Sequence, residues 1–76
     1  MFYQLFVSGA EEQISKILKE FDFTISKENG SVELKRLNFK SEEMRNIALK
    51  DLDEADMPAF KSRFYAIMFY NLDSIE

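Results

Sequence analysis

The sequence has no cysteine, no histidine and no tryptophan, and its 76 residues include only two glycines and one proline. Without cysteine there are no disulfides and no thiolate nucleophile. Without histidine there is no imidazole base, and the two absences together remove the usual zinc and haem ligand sets. Gly9 and Gly30 lie in different segments, so no glycine-rich loop is available to cradle a phosphate. Long hydrophobic runs are missing too: Phe64 to Tyr70, seven residues, is the longest, against about 20 needed for a helix to span a bilayer. No basic region precedes the apolar residues of the opening MFYQLFVSG, so it does not read as a secretory signal, and the cytoplasm is the expected location. There is no excess of positive charge: 14 acidic against 10 basic residues leave a net charge of −4, which gives no support to sequence-independent nucleic-acid binding.

Against these absences stand 46% hydrophobic residues, 14% aromatics and eight phenylalanines. A chain this short hides only about 60% of its unfolded surface on folding. A few large rings can nevertheless make a dense core, and the scarcity of proline and glycine excludes a disordered composition. The expectation is one folded domain over residues 1–76, with no internal repeat, linker or low-complexity tract.

Phe2 to Val7 sets Tyr3, Leu5 and Val7 against Phe2, Gln4 and Phe6, the period of a strand. Ser8 and Glu11 have capping-box spacing. Ile14, Ile17, Leu18 and Phe21 share a helical stripe beyond them, predicting a helix from about Gly9 to Phe21. Phe23, Ile25 and Lys27 alternate again, and Asn29-Gly30 suits a tight type I′ turn, predicting a hairpin. The second arm, Ser31 to Phe39, has Val32 and Leu34 on one parity and Leu37 and Phe39 on the other. That slip predicts a bulge or a strand end near Lys35-Arg36. Ser41 is an N-cap candidate followed by Glu42 and Glu43, and Met44, Ile47, Ala48, Leu52 and Ala55 form a second stripe that Pro58 stops. Ala59 to Ser62 reads as a connector. Arg63 to Asn71, aromatic or β-branched at most positions, reads as a final strand buried on both faces, with Leu72 to Glu76 as a tail.

The resulting order, β-α-β-β-α-β, is that of an α+β, ferredoxin-like sandwich, with two helices on one face of a four-stranded antiparallel sheet. Such a topology places the last strand at an edge beside the first. An edge is a hazardous place for the most apolar segment of a chain, so either a partner covers it or the topology differs and the chain itself buries the segment on both faces.

Three groups of residues are candidate sites. Asp51, Asp53, Glu54 and Asp56 put four carboxylates near the end of the second helix, able to hold a hard cation or face a basic protein, though a plain solvated face carries the same pattern. Lys27, Lys35, Arg36 and Lys40, with Phe39 nearby, form a basic patch. The strand lacks the glycine-aromatic signature of RNA-recognition sheets, and such lysines ordinarily protect a strand edge. Phe2, Phe6, Phe64, Met68 and Tyr70 would share the open sheet face if Tyr3, Leu5 and Val7 face the helices; the other parity of the final strand offers Tyr65, Ile67 and Phe69. An exposed patch of this kind marks a partner surface.

Glu42 and Glu43 are adjacent and about 100° apart on a helix, a poor acid–base pair, and no other constellation suggests catalysis. The expected function is therefore non-enzymatic: a protein-interaction or regulatory module, such as an acidic inhibitor or adaptor of a larger protein, for example one that handles nucleic acid. It would act through Asp51, Asp53, Glu54, Asp56, Phe2, Phe6, Phe64, Met68 and Tyr70 on another protein or on a second copy, with no cofactor and no membrane. The alternative is a small-molecule sensor built as a dimer of ferredoxin-like units.

Overall fold

Alternation of apolar and mixed positions makes the first strand. In the computed structural model, which describes residues 1–28 and 34–71, β1 (Tyr3–Ser8) turns Leu5 and Val7 to one face and Phe6 to the other, all buried. Helix α1 (Glu11–Ile17) follows, shorter at both ends than the expected Gly9 to Phe21. Its N-cap is Ala10, with no side-chain cap, so the Ser8–Glu11 capping box does not form. Ser8 is retained by the sheet opposite Leu34, which keeps its hydroxyl from the helix start. Past the last turn the Leu18 amide still bonds to the Ile14 carbonyl, and Ile14, Ile17, Leu18 and Phe21 all reach the core as the stripe requires.

The hairpin pairing is present. Strands β2 (Phe23–Glu28) and β3 (Leu34–Phe39) run antiparallel from Phe23↔Phe39 to Glu28↔Leu34. The Asn29-Gly30 turn, Val32 and the tail from Leu72 lie outside the described residues. No bulge interrupts β3, which keeps one register with both β1 and β2 across Leu34–Phe39. The parity slip has another origin: Leu37 and Phe39 face one core while Leu34 faces a second on the opposite side of the sheet.

Helix α2 (Glu42–Glu54) starts where expected, with the Ser41 hydroxyl accepting from the Met44 amide at 3.3 Å. Its buried side is turned from the expected stripe, with Arg45, Ala48 and Leu52 inward and Ile47 exposed. Arg45 can face inward because its planar head lies over the Tyr3 ring, 5.7 Å from the centroid, while Nε donates to Asn46 Oδ1 at 2.8 Å and Glu42 stands 3.7 Å away. The helix ends at Glu54, before Pro58 can act on it.

The last third departs from expectation. Two residues of the expected connector form β4 (Ala59–Phe60), which pairs antiparallel with β1 through Phe6↔Phe60 and Val7↔Ala59. Arg63–Asn71 is not a strand but a helix, α3. An apolar run this short carries no decisive period, and its aromatic content favoured the extended reading. In the fold Ala66, Ile67 and Tyr70 face the sheet while Phe64, Tyr65, Met68 and Phe69 face outward, a spacing of three and four residues that alternation does not give. The chain is α+β, with a four-stranded antiparallel sheet in the order β2-β3-β1-β4. Its elements run β-α-β-β-α-β-α, not the expected β-α-β-β-α-β, and the helices are not confined to one face.

The sheet therefore has two covered sides. On one, Leu5, Val7, Leu37 and Phe39 pack with Ile14 of α1, Leu18 just past its end, and Ala48 and Leu52 of α2. Phe39 anchors this side, stacked on Phe23 at 5.4 Å and meeting Phe21 edge-on at 6.4 Å. On the other, Ala66 of α3 closes over Phe6 and Leu34, flanked by Phe60, Ile67 and Tyr70.

Candidate protein-contact site

Helix α3 follows Ser62, whose carbonyl accepts the Ala66 amide at 3.1 Å. At Ala66 the small side chain lets the helix approach Phe6 and Leu34, and the residue is fully buried. Tyr70, one turn on, fastens the C-terminal half: its hydroxyl donates to the Pro58 carbonyl. Burial pushes the Tyr70 phenol above its ordinary value, and the Asp53 carboxylate adds to the rise against a lowering hydrogen bond from the Ser8 backbone.

The opposite side of α3 is also apolar. Phe64 is 66% exposed, Tyr65 62%, Met68 51% and Phe69 46%. These four occupy one arc of the helix, since residues four apart stack along it. Phe64 and Tyr65 meet edge-on at 5.6 Å, and Phe69 leans on Phe60 at 5.1 Å, so the surface is a joined aromatic ledge. A short helix that is apolar all round is ordinarily enclosed. Here only its inner half is.

The expected partner residues thus separate. Phe64 and Met68 lie on the ledge, joined by Tyr65 and Phe69. Phe6 is buried beneath α3 and Tyr70 is half-buried against Pro58, so neither faces outward. Phe2 is exposed near the start of β1. The signal for Tyr65 and Phe69 was in the run itself, as a second pair at helical spacing beside Phe64 and Met68, with Ala66 as the small inward residue.

The remainder of this sheet face is polar. Gln4 donates to Asn38 Oδ1 at 3.2 Å, Asn38 donates to Thr24 Oγ1 at 3.3 Å, and Arg36 Nε donates to Ser26 Oγ at 3.3 Å. Cross-strand ladders of this kind suit water, and the expected aromatic sheet face is not present.

Of the acidic residues, Asp53, Glu54 and Asp56 are exposed and Asp51 is partly covered. Among the described residues no three carboxylates converge to hold a metal ion. The acidic turn does border α3, because Asp56 is two residues from Pro58, which Tyr70 grips. The basic patch, by contrast, is divided. Lys35 is buried on a central strand, in line with Leu37 and Phe39 and not on an edge, while Arg36 lies on the opposite face and Lys27 and Lys40 are exposed.

Between α1 and the edge strand β2 runs a cleft of about 460 Å³, lined by Glu11, Ser15, Leu18, Lys19, Phe21, Phe23 and Ile25. Among the described residues no helix is long and apolar enough to cross a membrane. The chain has no match among protein-family models, curated proteins or solved structures.

Proposed function

We propose that this protein is a non-enzymatic interaction module whose contact surface is the outer face of α3. The observation that carries this reading is the aromatic ledge of Phe64, Tyr65, Met68 and Phe69, presented by a helix whose inner side is already pinned to the sheet. Aromatics and Met are the types enriched at interface centres. A ledge seated on a packed helix is also ordered before binding, which lowers the entropic cost of association. The acidic turn at Asp53 and Asp56 adds a charged rim, as an inhibitor or adaptor of a basic protein would need.

The test is photo-crosslinking in the native host with a photoreactive phenylalanine analogue at Tyr65, and with the same analogue at Ser15 on α1 as control. Specific adducts at position 65 that are absent at position 15 support the reading. Equal labelling at both positions, or none at 65, rejects it.

The small-molecule sensor has one feature behind it, the cleft beside α1, whose size is in the range that ligands occupy. A ligand there at 100 times its dissociation constant would add about 2.7 kcal/mol to stability. A metabolite thermal-shift screen, repeated with Ser15→Trp to fill the cleft, separates this reading from the first.

A further inference from the structure

We infer that the outer edge of β2 is a pairing surface for a second copy of this chain, the two β2 strands running antiparallel about a twofold axis at Ile25. This surface is separate from the α3 ledge and stands whether or not that ledge has a partner.

The two edges of the sheet are unequal. β4 is only two residues long and lies under α3, with Phe69 and Tyr70 against Phe60. β2 has six residues and, among the described residues, pairs only with β3. An edge of that length offers alternate amides and carbonyls to another strand, and its side chains decide which strand fits.

Parity decides the register. Phe23, Ile25 and Lys27 lie opposite Phe39, Leu37 and Lys35, on the face that α1 covers, and Thr24 and Ser26 point to the other face. Opposed residues of a sheet share a face, so the axis between two β2 strands falls at a residue. At Lys27 it would oppose two ammonium groups. At Ile25 it opposes Ile25 to its own copy, Phe23 to Lys27 of the other copy, and Thr24 to Ser26 of the other copy. These are an aliphatic contact, an ammonium beside a ring and a pair of hydroxyls, all favourable across strands. The hydroxyl pair also extends the row from Gln4 through Asn38 to Thr24, where Thr24 accepts from Asn38 and keeps its own proton to donate.

A second set of charges selects the same axis. Glu11, Ser15 and Lys19 are exposed and line the cleft between α1 and β2. β1 and β2 are both antiparallel to β3, so α1 between them runs against β2, with Lys19 toward Phe23 and Glu11 toward Lys27. Glu11 to Lys19 spans about 12 Å at the helical rise, and Phe23 to Lys27 about 13 Å at the strand rise. The midpoints, Ser15 and Ile25, therefore stand at one level. Rotation about Ile25 brings Glu11 of each copy toward Lys19 of the other, making the ion pair twice with the small Ser15 between. Among the described residues neither Glu11 nor Lys19 is held in an ion pair by its own chain. The same contact covers Phe21, Phe23 and Ile25, which α1 leaves partly exposed. Main-chain hydrogen bonds supply the affinity, and these side chains set the register.

The lack of native cysteine makes the axis testable. Ile25→Cys sets two thiols opposite each other with Cα atoms about 4.5–5.5 Å apart, inside disulfide range. Thr24→Cys leaves them diagonal at about 7–8 Å, outside it. Mild oxidation should therefore give covalent dimer with Ile25→Cys at least about tenfold faster than with Thr24→Cys. In sedimentation velocity from 1 to 500 µM the wild type should show a reversible monomer–dimer equilibrium. At low salt Lys19→Glu and Glu11→Lys, both at exposed positions, should each weaken it about two- to tenfold, and the double variant should recover most of the loss. Met68→Glu on α3 should leave it unchanged. Equal crosslinking of the two cysteine variants, a dimer indifferent to Lys19→Glu, or a monomer at 500 µM each overturns the proposal. A dimer lost with Met68→Glu overturns it too, and assigns the contact to α3. In the photo-crosslinking experiment this dimer appears at position 15 as the chain joined to itself, a product distinct from a host adduct at 65, so the two readings fail separately.

Discussion

The Met57 amide donates to the Leu52 carbonyl at 2.9 Å, closing the C-terminus of α2 across five residues. With the Asp56 amide bonded to the Asp53 carbonyl at 3.1 Å, this is a Schellman ending, and the apolar contact it favours is supplied by Leu52 and Met57 in the shared core. The motif needs a left-handed residue between them. Here that residue is Asp56, at φ 59°. Replacing it with glycine removes the Cβ strain and a carboxylate from the negative end of the helix. Asp56→Gly is expected to stabilise the protein by about 0.5–1 kcal/mol, raising the melting temperature by about 2–8 °C. Differential scanning calorimetry checks it, and a lower melting temperature would show that the aspartate side chain has a compensating role.

Phe39 carries the larger core. It is fully buried and touches two other rings. Phe39→Ala should cost about 3–5 kcal/mol, against a total stability of roughly 4–11 kcal/mol for a chain of this length. Urea unfolding of the variant should show a midpoint lowered by about 1–5 M, reaching an unfolded baseline where the wild type lies at the low end of that range. A loss under 1 kcal/mol would mean that this core collapses around the gap.

The raised phenol of Tyr70 has a consequence at high pH. Its folded pKa lies above the unfolded value of 10.0, so above that pH the unfolded chain loses the proton first. The associated stability is complete below pH 10 and is lost as pH rises through the folded pKa. The neutral phenol is also the donor to Pro58, and that bond goes with the proton. Urea midpoints from pH 8 to 12 should fall more steeply for the wild type than for Tyr70→Phe, which should itself cost about 0.5–1.5 kcal/mol at pH 7. Parallel curves would remove Tyr70 from the alkaline transition.

What was legible in the sequence was local. Leu5 and Val7 opposite Phe6, the stripe from Ile14 to Phe21, the pairing of the two hairpin arms and the Ser41 cap each follow from the period or chemistry of a few neighbouring residues. What failed depends on partners distant in the chain. Ser8 looks like a helix cap until β3 claims it, and Lys35 looks like an edge charge until β2 and β1 close around its strand. Leu34 looks out of phase until α3 arrives on the other face. The run from Phe64 to Tyr70 was ambiguous for the same reason. Its secondary structure is decided by the sheet face it covers, and that face is assembled from β1, β3 and β4.

The helical reading of that run makes a prediction an extended reading does not. In a strand, Phe64, Ala66, Met68 and Tyr70 would share one face and respond alike to substitution. In α3, Ala66 is sealed against Phe6 and Leu34 while Met68, two residues on, is half exposed. Ala66→Leu should therefore overpack the smaller core and cost about 1–3 kcal/mol. Met68→Gln and Phe64→Gln should fall within about 0.5 kcal/mol of wild type, as substitutions at exposed positions do. Urea midpoints at dilute concentration, where self-association does not contribute, measure all three. Equal losses at 66 and 68 would reject the helix. A large loss at 66 with none at 64 and 68 fixes the ledge as surface that folding does not need, leaving its four large side chains to be explained by binding.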